Sequence, residues 1–534
     1  MKKVFAILLS VVLMISILPV SALAVDIIDS GRCGANVTWT LDENGKLTIS
    51  GRNRMYDYEL AEDVPWYEHI EAIKTVVIES GVTSIGENVF TRCINMTSVT
   101  IPDTVTSIGD FAFYGCEKLP EINLPDSIKT IGETVFYECN SLTEVTIPDG
   151  VTAIEAWTFG WTENITTVNI PDSVTRIEEL AFYRCKSLTE IVIPDGVTAI
   201  KHSTFSSCES LVSVTIPDSV TTIETEAFAG CESLVEITIP EGITSIGNYA
   251  FAWCDSLTSF EIPASVIDII DYAFYGCESM EEYIVDKDNM FYSNDEHGVL
   301  FNKDKSVLIQ APVSGIRGSY TIPDGVRSIT HFAFDCCENI TEITIPASVV
   351  EAGSYVDCNS LTRFIVSADN RNYSNDESGA LYNKDKSELI CVPGGIYGVF
   401  TVPASVTTLN RFAFTENDYI YAIEFTGDAP IFDGDYLLYR YVTGYYPENN
   451  ATWTAEARES YGPMITWVAY TPFIAGDVDG NGSVSNTDLV LTARYIVRLC
   501  DAETAAEVER YADLNDDGMI TNTDLVMIAR IIVD

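Results

Sequence analysis

The chain has 534 residues, with 30 Lys+Arg against 79 Asp+Glu and a formal charge of −49. That length exceeds one compact core and a 47% hydrophobic content excludes a mainly disordered chain, leaving several domains or a repeat array. A polyanion of this size is repelled by nucleic acid and by anionic membrane surfaces, which excludes both as partners. The 4 histidines (His69, His202, His297 and His331) are scattered, which disfavours a zinc enzyme or a Ser-His-Asp hydrolase.

The first 24 residues read as a secretory leader. Lys2 and Lys3 precede an apolar run from Val4 to Val20, and Ala22, Leu23 and Ala24 put small residues at a cleavage site, so the mature chain is expected to begin at Val25. A retained membrane anchor is the alternative, but the run is short for a spanning helix. No later segment offers about 20 apolar residues, so no membrane insertion is expected after cleavage, and if the protein stays near the cell a partner must hold it there.

Prolines then fall at 102, 125, 148, 171, 194, 217, 240 and 263, each 23 residues after the last. Units begin at Ile78 and continue without a break to Ile284, and further ones start at Ile322, Ile345 and Val402. A period of this size means a solenoid, because one unit cannot bury its apolar face alone and must stack. Within a unit, Leu142 to Ile147 alternates like a strand and Pro148, Asp149 and Gly150 end it as a turn. Stacked units predict one parallel sheet at about 4.8 Å per rung, hence a rod of roughly 55–60 Å. The pattern L-x-x-[IV]-x-[IL]-P followed by G-V-T-x-I-x-x-x-A-F-x-x-C resembles the BspA-type leucine-rich repeats of bacterial surface proteins. The resemblance implies an N-terminal cap over 25–77, repeats over 78–423 and a C-terminal cap over 424–470. Two near-copies interrupt the array at 285–321 and 366–401, and each reads as a hairpin around Lys-Asp-Lys-Ser projecting from the rod.

Ten of the 14 cysteines recur once per unit: Cys93, Cys116, Cys139, Cys185, Cys208, Cys231, Cys254 and Cys277 at one position, Cys337 and Cys358 at or near it. Disulfides are the usual expectation in a secreted chain. A residue recurring with the period is instead a ladder of small buried side chains, and pairing would leave members out around Thr162, so free structural thiols are favoured. Zinc-type spacing is absent.

Composition changes over a linker at 471–475, and residues 476–534 carry a tandem motif. Asp477, Asp479, Asn481, Gly482, Ser483 and Asp488 are followed thirty-six residues later by Asp513, Asn515, Asp517, Gly518, Met519 and Asp524. Both match D-x-[DN]-x-[DN]-G with an acid at loop position twelve, which suits a hard cation taking six or seven oxygens. The backbone carbonyls of Ser483 and Met519 supply position seven, and Ser485 and Thr521 act through water at position nine. Each loop opens into a helix, TDLVLTARYIVRL and TDLVMIARIIVD, without an entering helix before it. These segments resemble a type I dockerin, a small all-α module. The resemblance implies two Ca2+ ions and docking to a cohesin on a scaffolding protein. Its recognition positions fall on Asn486, Thr487 and Arg494 in one copy and Asn522, Thr523 and Arg530 in the other. Agreement between the copies implies a nearly two-fold module able to dock in two orientations, and about sixty residues bury too little core to fold without the ion.

The outward strand positions of the repeats are small and polar, with Glu121, Glu144, Glu190 and Glu236 in one column. Aromatics gather near the cysteine turn at Tyr114, Tyr137, Trp161, Tyr183, Trp253 and Tyr275, a candidate ligand-binding strip whose plainer explanation is packing along the turn edge. Two functional readings follow. One is a noncatalytic adhesion subunit of a cellulosome-like complex, its repeats recognising a polysaccharide or surface protein; the other is a dockerin-borne glycoside hydrolase, whose carboxylate pair no sequence this acidic reveals. Protease inhibition through the hairpins has nothing specific behind it. Leader, caps, repeats and dockerin together use the whole chain, which favours the noncatalytic reading.

Overall fold

A computed structural model describes residues 25–353, 358–414, 417–432, 434, 436–470, 478, 484–496, 512, 514 and 520–533. The chain divides into two units, Met1–Tyr292 and Ser293–Asp534. The first opens with an antiparallel meander of Ile27–Arg32, Val37–Asp42 and Lys46–Gly51. The last of these strands then pairs parallel with Thr75–Ile78, Leu47 opposite Val76, and so becomes the template on which the repeats stack.

Each 23-residue unit is one coil of a β-solenoid. The alternating segment forms the expected parallel ladder, with Glu144–Thr146 against Thr167–Asn169 and Val145 opposite Val168. A second ladder lies just past each Pro turn, where Ala153–Ile154 pairs with Arg176–Ile177, Ala199–Ile200 with Thr222–Ile223, and Ser245–Ile246 with Asp268–Ile269. The sequence predicts one sheet; two-residue strands are too short to show a period, so the second ladder emerges only in three dimensions. The turn between the ladders is closed by Val151 N–H donating to the Pro148 carbonyl at 3.0 Å, and by Val174 to Pro171 at the same distance.

The third side of the coil is a run of tight turns that also hydrogen-bonds to its neighbour. The N–H groups of Trp157, Phe159 and Trp161 donate to Glu179, Ala181 and Tyr183 of the next coil, while those of Thr158, Gly160 and Thr162 bond within their own coil. Alternate amides therefore point outward and inward. This requires two left-handed residues per coil: φ lies between 49° and 65° at Asn88, Phe111, Thr134, Trp157, Leu180, Ser203, Glu226, Tyr249 and Tyr272, and a second set recurs four residues later. A bulky L-residue there costs about 1 kcal/mol, which stacking must offset.

Beneath this side runs a column of buried rings. Phe90, Phe113, Phe136, Phe159, Phe182, Phe205, Phe228, Phe251 and Phe274 stack with centroids 5.3 to 6.0 Å apart, and Trp66 closes the column above Phe90. The cysteines lie beside it, fully buried. Cys185 Sγ donates to the Phe159 carbonyl at 3.2 Å, and the same bond recurs from Cys116, Cys139, Cys208, Cys231, Cys254 and Cys277 to the coil before. Thr162 fits this scheme, because its hydroxyl makes the bond to Phe136 at 2.6 Å. All thirteen described cysteines are free thiols, and burial pushes those of Cys93 and Cys139 up to about 12, so they hold their protons at neutral pH.

In the second unit the Lys-Asp-Lys-Ser segments do form hairpins, Leu300–Asn302 with Val307–Gln310 and Leu381–Asn383 with Glu388–Cys391. They do not stand free: Val307–Gln310 pairs parallel with Ser328–Ile329, and Glu388–Cys391 with Thr408–Leu409, so each insertion enters the second ladder. Buried Asn370 anchors one of them, donating to the Pro346 and Val349 carbonyls and accepting from the Asn372 and Tyr373 amides. The array ends in a cap where Val442–Pro447 pairs with Ile465–Tyr470 over an aromatic cluster of Phe425, Trp453, Tyr461 and Trp467.

The cysteine bond predicts a graded response. Cys185→Thr retains a donor and should unfold in urea within about 0.5 kcal/mol of the parent, whereas Cys185→Val loses the inter-coil bond and about 0.5–1.5 kcal/mol. Equal stability of all three chains would reduce the thiol to packing alone.

Candidate functional site

The C-terminal module is built around two equivalent carboxylates. Asp488 and Asp524, at loop position twelve, are fully buried at the starts of the helices Asn486–Ile496 and Asn522–Val533. Asp488 accepts from the amides of Val478 at 2.6 Å and Ser485 at 2.8 Å; Asp524 accepts from Leu514 and Thr521, both at 2.9 Å. Ser485 in turn receives the Thr487 amide at 3.1 Å. Ser-x-x-Asp and Thr-x-x-Asp are thus capping boxes, in which the third helical residue reaches back to the capping amide. One carboxylate therefore starts the helix and draws positions two and nine of its loop together.

A core of Val478, Ala512 and Ile528 joins the two halves. Asn486 and Thr487 are exposed at the first helix's start. Asn522 and Thr523 open the second helix, and Arg494 and Arg530 lie within the helices; Asp477, Asp479, Asn481, Ser483, Asp513, Asn515, Asp517 and Met519 fall outside the described residues. The donor set is wholly oxygen and includes a buried, pre-oriented carboxylate in each loop, so it fits a hard divalent cation. When bound, calcium would neutralise these carboxylates and hold the loops closed.

The aromatic residues separate into two groups in the first unit. Tyr114 and Tyr137 stack at 5.3 Å, Trp157 sets its edge against Tyr137 and Tyr183, and Arg184 covers the Trp161 ring at 4.0 Å. Further along, Trp253 meets Tyr275 edge-on and Tyr249 stacks on Tyr272 at 5.1 Å. Between the groups the same positions carry Ser206, Ser207 and Ala229. The faces of several rings are thus spent on one another. Sequence reasoning missed a cleft of about 570 Å³ beside this edge, where Tyr67 and Glu71 of the cap meet Arg92, Phe111 and Tyr114. It also missed a groove of about 420 Å³ along the second ladder, lined by Asp57, Glu87, Asp110 and Glu133. A Cβ at Gly109 in its lining would lie 2.6 Å from the Glu87 backbone nitrogen, which requires glycine there.

One hydroxyl, imidazole and carboxylate do meet. Ser203 Oγ lies 3.4 Å from His202 Nε2 and donates to Glu226 at 3.1 Å, but Ser203 is 1% exposed and its proton is directed at the carboxylate. That geometry ties one coil to the next and leaves the hydroxyl buried. Among the described residues no group of three or more His, Cys, Asp or Glu is placed to hold a metal ion, and no helix is long and apolar enough to cross a membrane.

A solenoid of 23-residue coils followed by a tandem capping-box module defines a repeat protein with a small helical appendage. The chain belongs to the BspA type leucine rich repeat family, whose model matches in six copies over residues 66–189, 176–295 and 317–397, more than half of its length. A dockerin type I domain matches residues 475–533. Similar solved structures include a leucine-rich repeat protein from Eubacterium ventriosum (21% identity, 78% of this chain and 87% of that one, TM-score 0.25). A leucine rich cell surface protein from Faecalibacterium prausnitzii is 21% identical over 84% and 96% of the two chains, with a TM-score of 0.28. A leucine-rich repeat protein from Bacteroides ovatus is 18% identical over 82% and 98%, with a TM-score of 0.37. No curated protein matches the chain.

Removing both buried carboxylates, Asp488→Ala with Asp524→Ala, should weaken calcium binding by at least about 10–100-fold in calorimetry and abolish any calcium-induced rise in helical signal. The Asn pair keeps the acceptor for the cap but not the charge, and unchanged calcium affinity in both variants would sink the assignment. Separately, Glu209, Glu232, Asp255 and Glu278 succeed one another coil by coil, and burial, aided by Glu278 and Glu232, pushes Asp255 up to about 6. The folded chain then keeps a proton that the unfolded chain releases from about pH 4, so this group's stabilising contribution falls as pH rises from about 4 to 6. Asp255→Asn should therefore melt higher than the parent at pH 7.5 and equally at pH 4; equal melting at pH 7.5 would mean that solvent screens the column.

Proposed function

We propose that this is a secreted, noncatalytic binding subunit, delivered by the leader at 1–24 and held at a cell-surface complex by its dockerin. The presence of both matched families on one chain carries this reading: repeats offer an extended face for a partner, and a dockerin implies a cohesin-type one. Ligation of two calcium ions, through Asp477, Asp479, Asn481, Ser483 and Asp488 in one loop and Asp513, Asn515, Asp517, Met519 and Asp524 in the other, would set the helices for docking. Asn486, Thr487 and Arg494, or Asn522, Thr523 and Arg530, would then meet the cohesin in either of two orientations. The solenoid would supply recognition of a polysaccharide or surface protein, with the aromatic groups of Tyr114, Tyr137, Trp161 and Tyr183 and of Trp253 and Tyr275 at its edge.

Residues 25–534 should bind an immobilised type I cohesin in calcium and release in EDTA. Substituting Asn486 and Thr487 by alanine should leave binding within about twofold, because the second copy still docks, while substituting both copies should abolish it. The same purified chain should release no sugar from plant polysaccharides. Indifference to every type I cohesin tried would remove the docking reading, and sugar release would restore the hydrolase.

A further inference from the structure

The outward strand positions change character in the second unit. Where the first unit places Ser187, Ser210, Ser233 and Ser256 just ahead of the alternating segment, the final coils place Tyr397, Tyr419 and Tyr441, spaced by 22 residues. They precede the strands Gly398–Val402, Ile420–Phe425 and Val442–Pro447, which pair in parallel one after another. Tyr421 joins them because Gly398 pairs with Ile420 and Val399 with Ala422, so the residue between has no partner and the bulge turns it outward. Tyr397 and Tyr421 meet at 6.1 Å. Exposure is 78% for Tyr397, 46% for Tyr419, 57% for Tyr421, 68% for Tyr439 and 79% for Tyr441. So many exposed aromatics in one place exceed what a solvated surface retains without use.

The surroundings narrow the occupant. Arg440, between Tyr439 and Tyr441, turns inward and spends its guanidinium on the carbonyls of Asn417, at 2.8 Å, and Ile420. It is therefore withdrawn as a cation for an acidic ligand, and the chain's charge of −49 repels polyanions besides. Beside the rings a cleft of about 220 Å³ offers the exposed carboxylate of Asp418 as an acceptor for hydroxyl donors. Neighbouring strands lie about 4.8 Å apart, a step close to one sugar unit of an extended glycan, so one ring per coil matches a repeating ligand. Tyrosine provides a rigid apolar face and a polar tip at low entropic cost.

We propose that Tyr397, Tyr419, Tyr421, Tyr439 and Tyr441 form a platform for an uncharged polysaccharide chain, which lies across the last three coils with its hydroxyls reaching Asp418. This deepens the noncatalytic reading by naming the ligand class. It is tested on the free chain without a scaffold, so its failure and that of cohesin docking are separable.

Calorimetric titration of residues 25–534 with neutral hexasaccharides of glucose, xylose and mannose should show binding of at least one. Replacing Tyr397, Tyr419 and Tyr441 together by alanine should weaken it by at least about eightfold, at roughly two- to tenfold per ring, with the melting temperature unchanged. The triple phenylalanine variant keeps the faces and should stay within about threefold of the parent. Three outcomes would overturn the proposal: no hexasaccharide binds, the alanine variant binds undiminished, or sedimentation shows a dimer that the alanine variant dissolves, which would make the patch a contact between copies of this chain.

Discussion

The first unit depends on one arrangement, the alternation of amides on the turn side of every coil. Because two residues per coil adopt the left-handed conformation, three N–H groups face the next coil while their neighbours close turns within their own. A parallel β-ladder accomplishes this with extended backbone; here the same linkage is made by backbone too tightly turned to be a strand. The Phe column and the cysteine bonds sit directly beneath and work in the same direction, each joining one coil to the last. Stability is therefore a sum of nearest-neighbour terms, and no coil is stable alone.

How much of this was legible in the sequence depended on whether a feature carried the period. Leu142, Val145 and Ile147 alternate and recur, so the first ladder could be read directly. Ala153–Ile154 is too short to alternate, and its pairing followed from stacking rather than pattern. The cysteine position announced itself by recurrence and Thr162 looked like an exception, until the hydroxyl was found making the bond the thiols make. The tyrosines escaped notice because the coils holding them are spaced by 22 residues and follow an insertion, which breaks the register against which a column is recognised. In the C-terminal module the spacing of oxygens identified the loops, but that Asp488 and Asp524 also close capping boxes required the bonds to Ser485 and Thr521.

The two parts of the chain solve the same shortage differently. A 23-residue coil lacks a core of its own and borrows one from its neighbours, whereas the dockerin-matched segment has a small core among the described residues and would borrow an ion. That difference would separate their conditions: the solenoid's bonds are buried and involve no cation, while the ordering of a calcium-loading module would follow the ion. Docking could then be switched without disturbing whatever the repeats hold.

Charge divides the surface in a further way. With 79 acids in 534 residues, most outward positions of the repeats are anionic or small and polar, and stacking at the coil spacing brings like charges together, as around Asp255. Such a surface repels anionic partners and resists association with its own kind. A region that departs from the rule, rich in rings and with its arginine folded inward, departs at a cost in solubility that a solvated surface gains nothing from bearing. An uncharged ligand is the one such a surface can approach without meeting the field that excludes the others, and a repeating ligand is the one that can use a residue supplied once per coil.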